Sequence, residues 1–304
     1  MSNKSKQEAI IKNLEREGRG KLAVITGANS GIGFGAAWLL ASAGVEVVMG
    51  CRNLEKGEIA RSKILDDFSD ARLHLIKIDV SDLASVKAAA GEFKSKFSKL
   101  DILINNAGIM MTPYSKTPDG FEKQFGTNHL GHFALVSHLM DKILSTSGSR
   151  IITISSIAHF KGVINFNNLN SENGYIRKVA YRQSKLANLL FAYELDRRFK
   201  AAGKNAMALS AHPGITSTNI VKLPGPVAKL KELVLMSTIK GSLPTMMAAL
   251  DKNLGGGELI GPDGKWQMFG LPAVRRSSAS SYDKDIWLRL WEVSEELTGV
   301  KIKI

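Results

Sequence analysis

Tyr181 and Lys185 stand four residues apart in the segment YRQSK, directly ahead of the apolar run LANLLF at 186–191. On a helix that spacing sets both side chains on one face with Cβ atoms ~5–6 Å apart, so an ammonium can lie near a phenol. A tyrosine with an ordinary pKa of ~10 gives up its proton reluctantly at neutral pH, and a nearby cation favours the phenolate. The pair therefore suits acid–base chemistry. A Y-x-x-x-K segment also arises by chance, so its weight depends on its company.

Thr26-Gly27-Ala28-Asn29-Ser30-Gly31-Ile32-Gly33 supplies part of that company. It lies between the apolar run LAVIT (22–26) and the helix-compatible stretch Phe34–Ser42. Gly27 permits a tight strand-to-helix turn, Gly31 lets the backbone approach a pyrophosphate, and Gly33 allows close helix–strand packing, with helix N–H groups facing the anion. No Gly-Lys-Ser/Thr follows, so this is not a Walker loop. An NAD-selective site places an acidic residue ~20 positions downstream on the ribose hydroxyl. Here that region reads Cys51-Arg52-Asn53. A carboxylate would repel a 2′-phosphate, whereas the Arg52 guanidinium can pair with one, which favours NADP(H). The bland alternative makes Arg52 a solvated loop residue, and Cys51 reads as a small buried apolar residue.

Positioning these groups requires an α/β scaffold. Runs at 22–26, 45–50, 73–79 and 100–108, each followed by a helix-compatible segment, and at 150–156 and 205–214 predict six strands, and a short seventh is expected near Trp266–Phe269. Their near-continuous apolar character predicts burial on both faces, as in a doubly wound parallel sheet of about seven strands flanked by helices. Asp79-Val80 would close the third strand, with Asp79 placed to accept from an adenine amino group. Asn105-Asn106-Ala107-Gly108 would close the fourth, its small residues leaving room for a ligand at the carboxyl edge. Residues 1–20 read as an appendage with a helix carrying Ile10, Ile11 and Leu14. Residues 21–304 read as one Rossmann-type domain, within which 215–242 is expected to form a substrate loop or lid.

At this point the chain resembles the short-chain dehydrogenase/reductase family, through TGANSGIG (26–33), NNAG (105–108), Asn128 in TNHLG, Ser156 in ISS, YRQSK (181–185) and HPG (212–214), in consistent order from about 21 to 270. The resemblance implies that Tyr181 protonates a carbonyl oxygen, Ser156 hydrogen-bonds that oxygen, Lys185 binds nicotinamide ribose and lowers the Tyr181 pKa, and Asn128 holds a water for proton relay. Ser155 would support Ser156 from beneath. Cofactor contacts are implied for Gly27, Asn29, Ser30, Gly31, Ile32, Gly33, Arg52, Asp79, Val80, Asn106, Ala107, Gly108, Tyr181, Lys185, Pro213, Gly214 and Thr216. The expected activity is NADP(H)-dependent interconversion of an aldehyde or ketone with its alcohol, the nicotinamide carrying the hydride.

The stretch SSIAHFKGVINFNNLN, with TNHLGHF and GANSGIG, is most similar to the retinol dehydrogenase-like and WW-domain oxidoreductase-like branch, which implies a lipophilic substrate. Light-dependent protochlorophyllide reductases share similar motifs, so C=C reduction is a further reading. A non-catalytic NADP(H) sensor or scaffold is another, weakened by the complete Asn–Ser–Tyr–Lys set. The insertion before Tyr181, with His159, Phe166, Asn167 and Asn168, is longer than in many family members. Met110, Met111, Leu223, Leu233, Leu235 and Met236 either line a pocket or belong to the core.

Composition bounds these readings. The chain has 304 residues, 44% hydrophobic and 23% charged, which is ordinary for a globular protein. Its charge of +13 invites anionic partners, but the cations are spread along the chain, so nucleic-acid binding is not expected. Cys51 is the single cysteine, and His129, His132 and His159 have no accompanying thiolate or acidic set, so no metal site is expected. A cytoplasmic protein without a secretory signal or spanning segment is expected, with peripheral membrane contact and homo-oligomerisation left open.

Overall fold

The computed structural model describes residues 3–215 and 228–304, and the side chains of all of these except 3, 4, 6 and 228–237. The elements are α1 (Asn3–Glu15), β1 (Leu22–Thr26), α2 (Gly31–Ser42), β2 (Glu46–Cys51), α3 (Leu54–Asp67), β3 (Leu73–Lys77), α4 (Leu83–Lys96) and β4 (Ile102–Asn105). They continue with α5 (Lys123–Phe125), a π-helical turn at Gly126–Leu130, α6 (Gly131–Ser145), β5 (Ser149–Ile154) and a 3₁₀ turn at Ile157–Lys161. After these come α7 (Arg177–Ala201), β6 (Ala206–Ala211), α8 (Ala228–Leu250), β7 (Leu259–Pro262), β8 (Pro272–Arg275) and α9 (Lys284–Thr298).

One sheet runs in the order β3-β2-β1-β4-β5-β6-β7-β8. Every pairing is parallel except β7 with β8. The alternation of side chains along each strand divides the core. Ala23, Ile25, Val47, Met49, Ile104 and Ile152 face one layer with α2, α3 and α8, while Leu22, Val24, Val48, Leu103 and Ile151 face the other with α4, α6, α7 and α9. A third cluster, with Phe125, Leu130, Leu186, Leu189, Trp287 and Leu290, packs beneath the loops around α7. Leu14 of α1 is buried in the first layer.

The order of strands reverses between β1 and β4, whose carboxyl ends therefore diverge into loops on opposite sides and leave a crevice between them. Register places Thr26 of β1 beside Gly50 of β2, and Asn105 of β4 beside Thr153 of β5, so these ends line up along one edge.

The expected seventh strand is displaced. Trp266 and Gln267 take left-handed backbone angles, φ 55° and 57°, and Trp266 is 74% exposed, so Trp266–Phe269 is the turn between β7 and β8. Both strands have four residues, and β7 carries Gly261 and Pro262, too short and broken a pattern to read as a core strand. Of the segment 215–242, residues 216–227 lie outside the described residues, Thr216 and Leu223 among them, as do the side chains of Leu233, Leu235 and Met236. From Thr238 to Leu250 the segment is helical and mostly buried, with Ser242 Oγ donating to Ile32 O at 2.9 Å.

Candidate active site

A cleft of about 910 Å³ opens at the carboxyl edge of the sheet. Its lining includes Gly27, Asn29, Ser30, Gly31, Ile32, Gly33, Arg52, Asp79, Val80, Asn106, Ala107, Gly108, Ser156, Tyr181, Lys185, Pro213 and Gly214. Residues from seven separate segments of the chain, expected to act together, thus share one cavity. Asn128 lies behind this wall, fully buried, and Thr216 is outside the described residues.

The glycine-rich turn fits a dinucleotide phosphate. A Cβ on Gly33 would collide with Gly27 O and Asn106 Nδ2, so the helix starts hard against the turn. Ser30 is the N-cap of α2 without a side-chain capping bond, whereas Asn53, Asp82 and Asp283 cap α3, α4 and α9 through their side chains. The first amides of α2 are therefore left for an anion in the cleft, with the helix dipole behind them.

Arg52, just after β2, is 74% exposed, and among the described residues its one ion-pair partner is distant, Asp79 Oδ2 at 3.9 Å. That pairing is weak enough for the guanidinium to turn to a stronger anion. Asp79 Oδ1 accepts from Ser81 N at 2.9 Å and Ser81 Oγ at 2.6 Å, which leaves only Oδ2 for an adenine amino group.

Around Tyr181 the strand end is stitched to α7. Ile154 O, the last carbonyl of β5, accepts from Lys185 Nζ and Asn188 Nδ2, each at 3.0 Å, and Ser155 Oγ donates to Lys185 O at 2.7 Å. Ser155 thus sits beneath the site while Ser156 lines the cleft. Lys185 Nζ is 5.9 Å from the Tyr181 ring centroid.

Electrostatically the pair departs from what its spacing alone implies. Burial raises the Tyr181 phenol above its ordinary value, opposed by a hydrogen bond with Ser156 rather than by the ammonium. Burial lowers Lys185 to about 8, so it is still cationic at neutral pH. The arrangement therefore presents a protonated phenol next to a hydroxyl, with a cation held behind them. It can donate a proton to an oxygen and stabilise the charge that develops there.

Asn128 uses its side chain on the protein itself. Its Oδ1 accepts from Ile109 N at 2.8 Å, and its Nδ2 donates to Ile109 O at 3.0 Å and Ser184 Oγ at 2.9 Å. It sits in the π-helical turn, a distortion often found at functional sites. Thr26 and His132 complete this buried framework. Thr26 Oγ1 accepts from Asn106 N and Ala107 N, both at 2.9 Å, and lies 2.9 Å from His132 Nε2, while His132 Nδ1 donates to Asn128 O at 3.0 Å. With burial pushing His132 down to about 4, its ring is neutral, which suits one donating and one accepting nitrogen.

Sequence reasoning missed the part played by Thr26 and His132, and also several cleft residues: Asn53, Lys56, Phe160, Lys161, Lys178, Arg182 and Ile215. A helical pattern was available for two of them, since Arg182 stands four residues from Lys178 on α7.

Known proteins share the sequence family and the fold. The short chain dehydrogenase family model matches residues 21–224. The chain is 41% identical to retinol dehydrogenase 12 of Mus musculus over 285 residues, covering 93% of this chain and 87% of that protein. It is 39% identical to retinol dehydrogenase 11 of Homo sapiens over 286 residues, with the same coverage of 93% and 87%. Among solved structures, an uncharacterized protein from Mycobacterium Paratuberculosis superposes with a TM-score of 0.81 at 39% identity, covering 94% of this chain and 96% of that one.

Proposed function

The chain belongs to the short-chain dehydrogenase family, in its retinol dehydrogenase-like branch, and from that premise we propose that it is an NADP(H)-dependent oxidoreductase interconverting a lipophilic aldehyde or ketone with its alcohol. The observation that carries this reading is the sharing of one cleft by the uncapped glycine-rich turn, Arg52, Ser156, Tyr181 and Lys185. Residues 27–33, with Asn106, Ala107 and Gly108, would hold the pyrophosphate and the nicotinamide half, and Arg52 the 2′-phosphate. When bound, the nicotinamide supplies or accepts the hydride.

Tyr181 then gives its proton to the carbonyl oxygen, which Ser156 holds by a second hydrogen bond. Lys185, still cationic near neutrality, would engage the nicotinamide ribose and favour the phenolate left behind. In the reverse direction Tyr181 receives the alcohol proton. Asn128 contributes by fixing Ile109 and Ser184, and its own carbonyl is taken by His132. Met110, Met111 and Phe160 give the cleft an apolar wall suited to a lipophilic substrate.

Among the described residues no helix is long and apolar enough to cross a membrane. The one cysteine, Cys51, is buried, and burial pushes its thiol up to about 11, far from the reactive range, so it takes no part in the proposed chemistry. The test of the functional reading is cofactor consumption with aliphatic, aromatic and retinoid aldehydes, NADPH and NADH run side by side. Turnover with NADPH well above NADH supports it, and NADPH binding without turnover of any carbonyl would favour a sensor instead.

A further inference from the structure

The cleft carries charge that the proposed proton and hydride chemistry does not use. Lys178 and Arg182 flank Tyr181 on α7 at a spacing of four residues, which puts them on one helix face, and both line the cleft. Lys161, at the end of the 3₁₀ turn, lines it too. Gly162 brings that turn against α7, since a Cβ there would come within 2.8 Å of both Arg182 O and Leu186 Cβ. The cation on the turn is thereby set beside the cations on the helix.

Among the described residues none of the three has a carboxylate within 4.0 Å. Towards the carboxyl end of α7 the cations are paired, Arg197 and Arg198 with Glu194, and Lys200 with Asp196. Among the described residues the one carboxylate that lines the cleft is Asp79, beside Arg52 at the end of β3. Four strand spacings, ~19 Å, separate the β3 and β5 ends of the cleft, so Asp79 does not neutralise this group. The glycine-rich turn and Arg52 already provide for the phosphates of a dinucleotide.

We propose that Lys161, Lys178 and Arg182 bind a carboxylate carried by the substrate, which makes the substrate class an amphiphile with an apolar chain between its reacting carbonyl or alcohol and its anionic end. This rests on the carbonyl–alcohol reading above. Charge-assisted hydrogen bonds to a carboxylate in a partly enclosed site account for about a 10–100-fold preference over a neutral analogue.

The test uses the full chain with NADPH and two matched probes, azelaic semialdehyde and its methyl ester. The expected kcat/KM is about 10–100-fold higher for the free acid, declining as salt is raised. In the triple variant K161Q/K178Q/R182Q the acid-to-ester ratio falls to near one, and R182K alone keeps most of it. Equal turnover of acid and ester by the wild type overturns the proposal while leaving the carbonyl–alcohol reading intact, whereas no turnover of either probe or of any other aldehyde overturns both. A triple variant that keeps the ratio also overturns it. Direct titration with NADPH, and salt-sensitive binding to phosphatidylserine vesicles, complete the set: if the variant loses either of these instead of the acid preference, the cations serve cofactor or lipid and the proposal fails.

Discussion

Asn128 Nδ2 lies 2.9 Å from Ser184 Oγ, and Ser184 Oγ in turn donates to Tyr181 O at 2.8 Å. The π-helical turn is thereby fastened to the helix that carries both reactive groups, one residue before Lys185. The same Asn128 holds Ile109, the residue that follows the Asn-Asn-Ala-Gly segment, through both its N–H and its carbonyl.

Asn128→Ala removes all three side-chain bonds and leaves buried polar groups without partners. The expected cost is about 2–4 kcal/mol of stability, with a fall in kcat larger than any change in KM for NADPH. Urea denaturation followed by steady-state kinetics checks both. Asn128→Asp retains the acceptor for Ile109 N but not the donors, and is expected to fall between.

Thr26→Val keeps the shape of the side chain but strips the acceptor from Asn106 N and Ala107 N. Stability is expected to drop by about 2–4 kcal/mol, and NADPH affinity with it, because the two amides belong to the cofactor wall. Thr26→Ser retains the hydroxyl and should restore most of both. Thermal melting with and without NADPH reads the difference.

Acid sensitivity follows from three buried histidines. Burial lowers His129 to about 3, and His132 and His212 to about 4, against an ordinary value of 6.5. At pH values between those figures and 6.5 the unfolded chain binds protons that the folded chain refuses, so unfolding is favoured as pH falls. Each histidine contributes a slope of about 1.4 kcal/mol per pH unit in that window, and stability from this source is full above 6.5. The melting temperature is expected to fall steadily from pH 6.5 towards 4, and a flat profile over that range would contradict neutral burial of these rings.

Much of this architecture was legible in the chain because burial writes simple patterns. LAVIT at β1 is buried at all five positions, and a strand covered on both faces is read from a near-continuous apolar run of this kind. The glycines of the turn, Arg52 and the Tyr181–Lys185 spacing were equally visible, since each is a local relation. The framework of Thr26, His132 and Asn128 was not, because His132 is 106 residues from Thr26 and a threonine's partner leaves no local mark. The rise in the Tyr181 pKa was hidden for a related reason: desolvation depends on how the whole edge of the sheet closes around the phenol, and spacing reports only its neighbour Lys185. The β7–β8 hairpin escaped because Pro262 and Pro272 bracket a turn richer in aromatics than the strands it joins.

Cofactor choice is tested at Arg52. Arg52→Gln keeps the length of the side chain near that of the original and removes its charge at a position exposed enough to spare the fold. NADPH affinity is expected to weaken about 10–100-fold, the loss of charge-assisted bonds to a phosphate, while NADH affinity changes little. Fluorescence titration with both nucleotides gives the ratio. Equal losses for the two would place Arg52 outside the recognition of the 2′-phosphate.

The proposed role of Tyr181 as the acid–base group of a carbonyl–alcohol reaction is open to direct measurement. Single-turnover reduction of an aldehyde by the Tyr181→Phe variant with prebound NADPH measures this step apart from binding and product release. Hydride transfer is expected to fall by about 10²–10⁴-fold, the usual contribution of a positioned proton donor, with NADPH affinity within a few-fold of wild type. Hydride transfer at more than a tenth of the wild-type rate in that variant would contradict it.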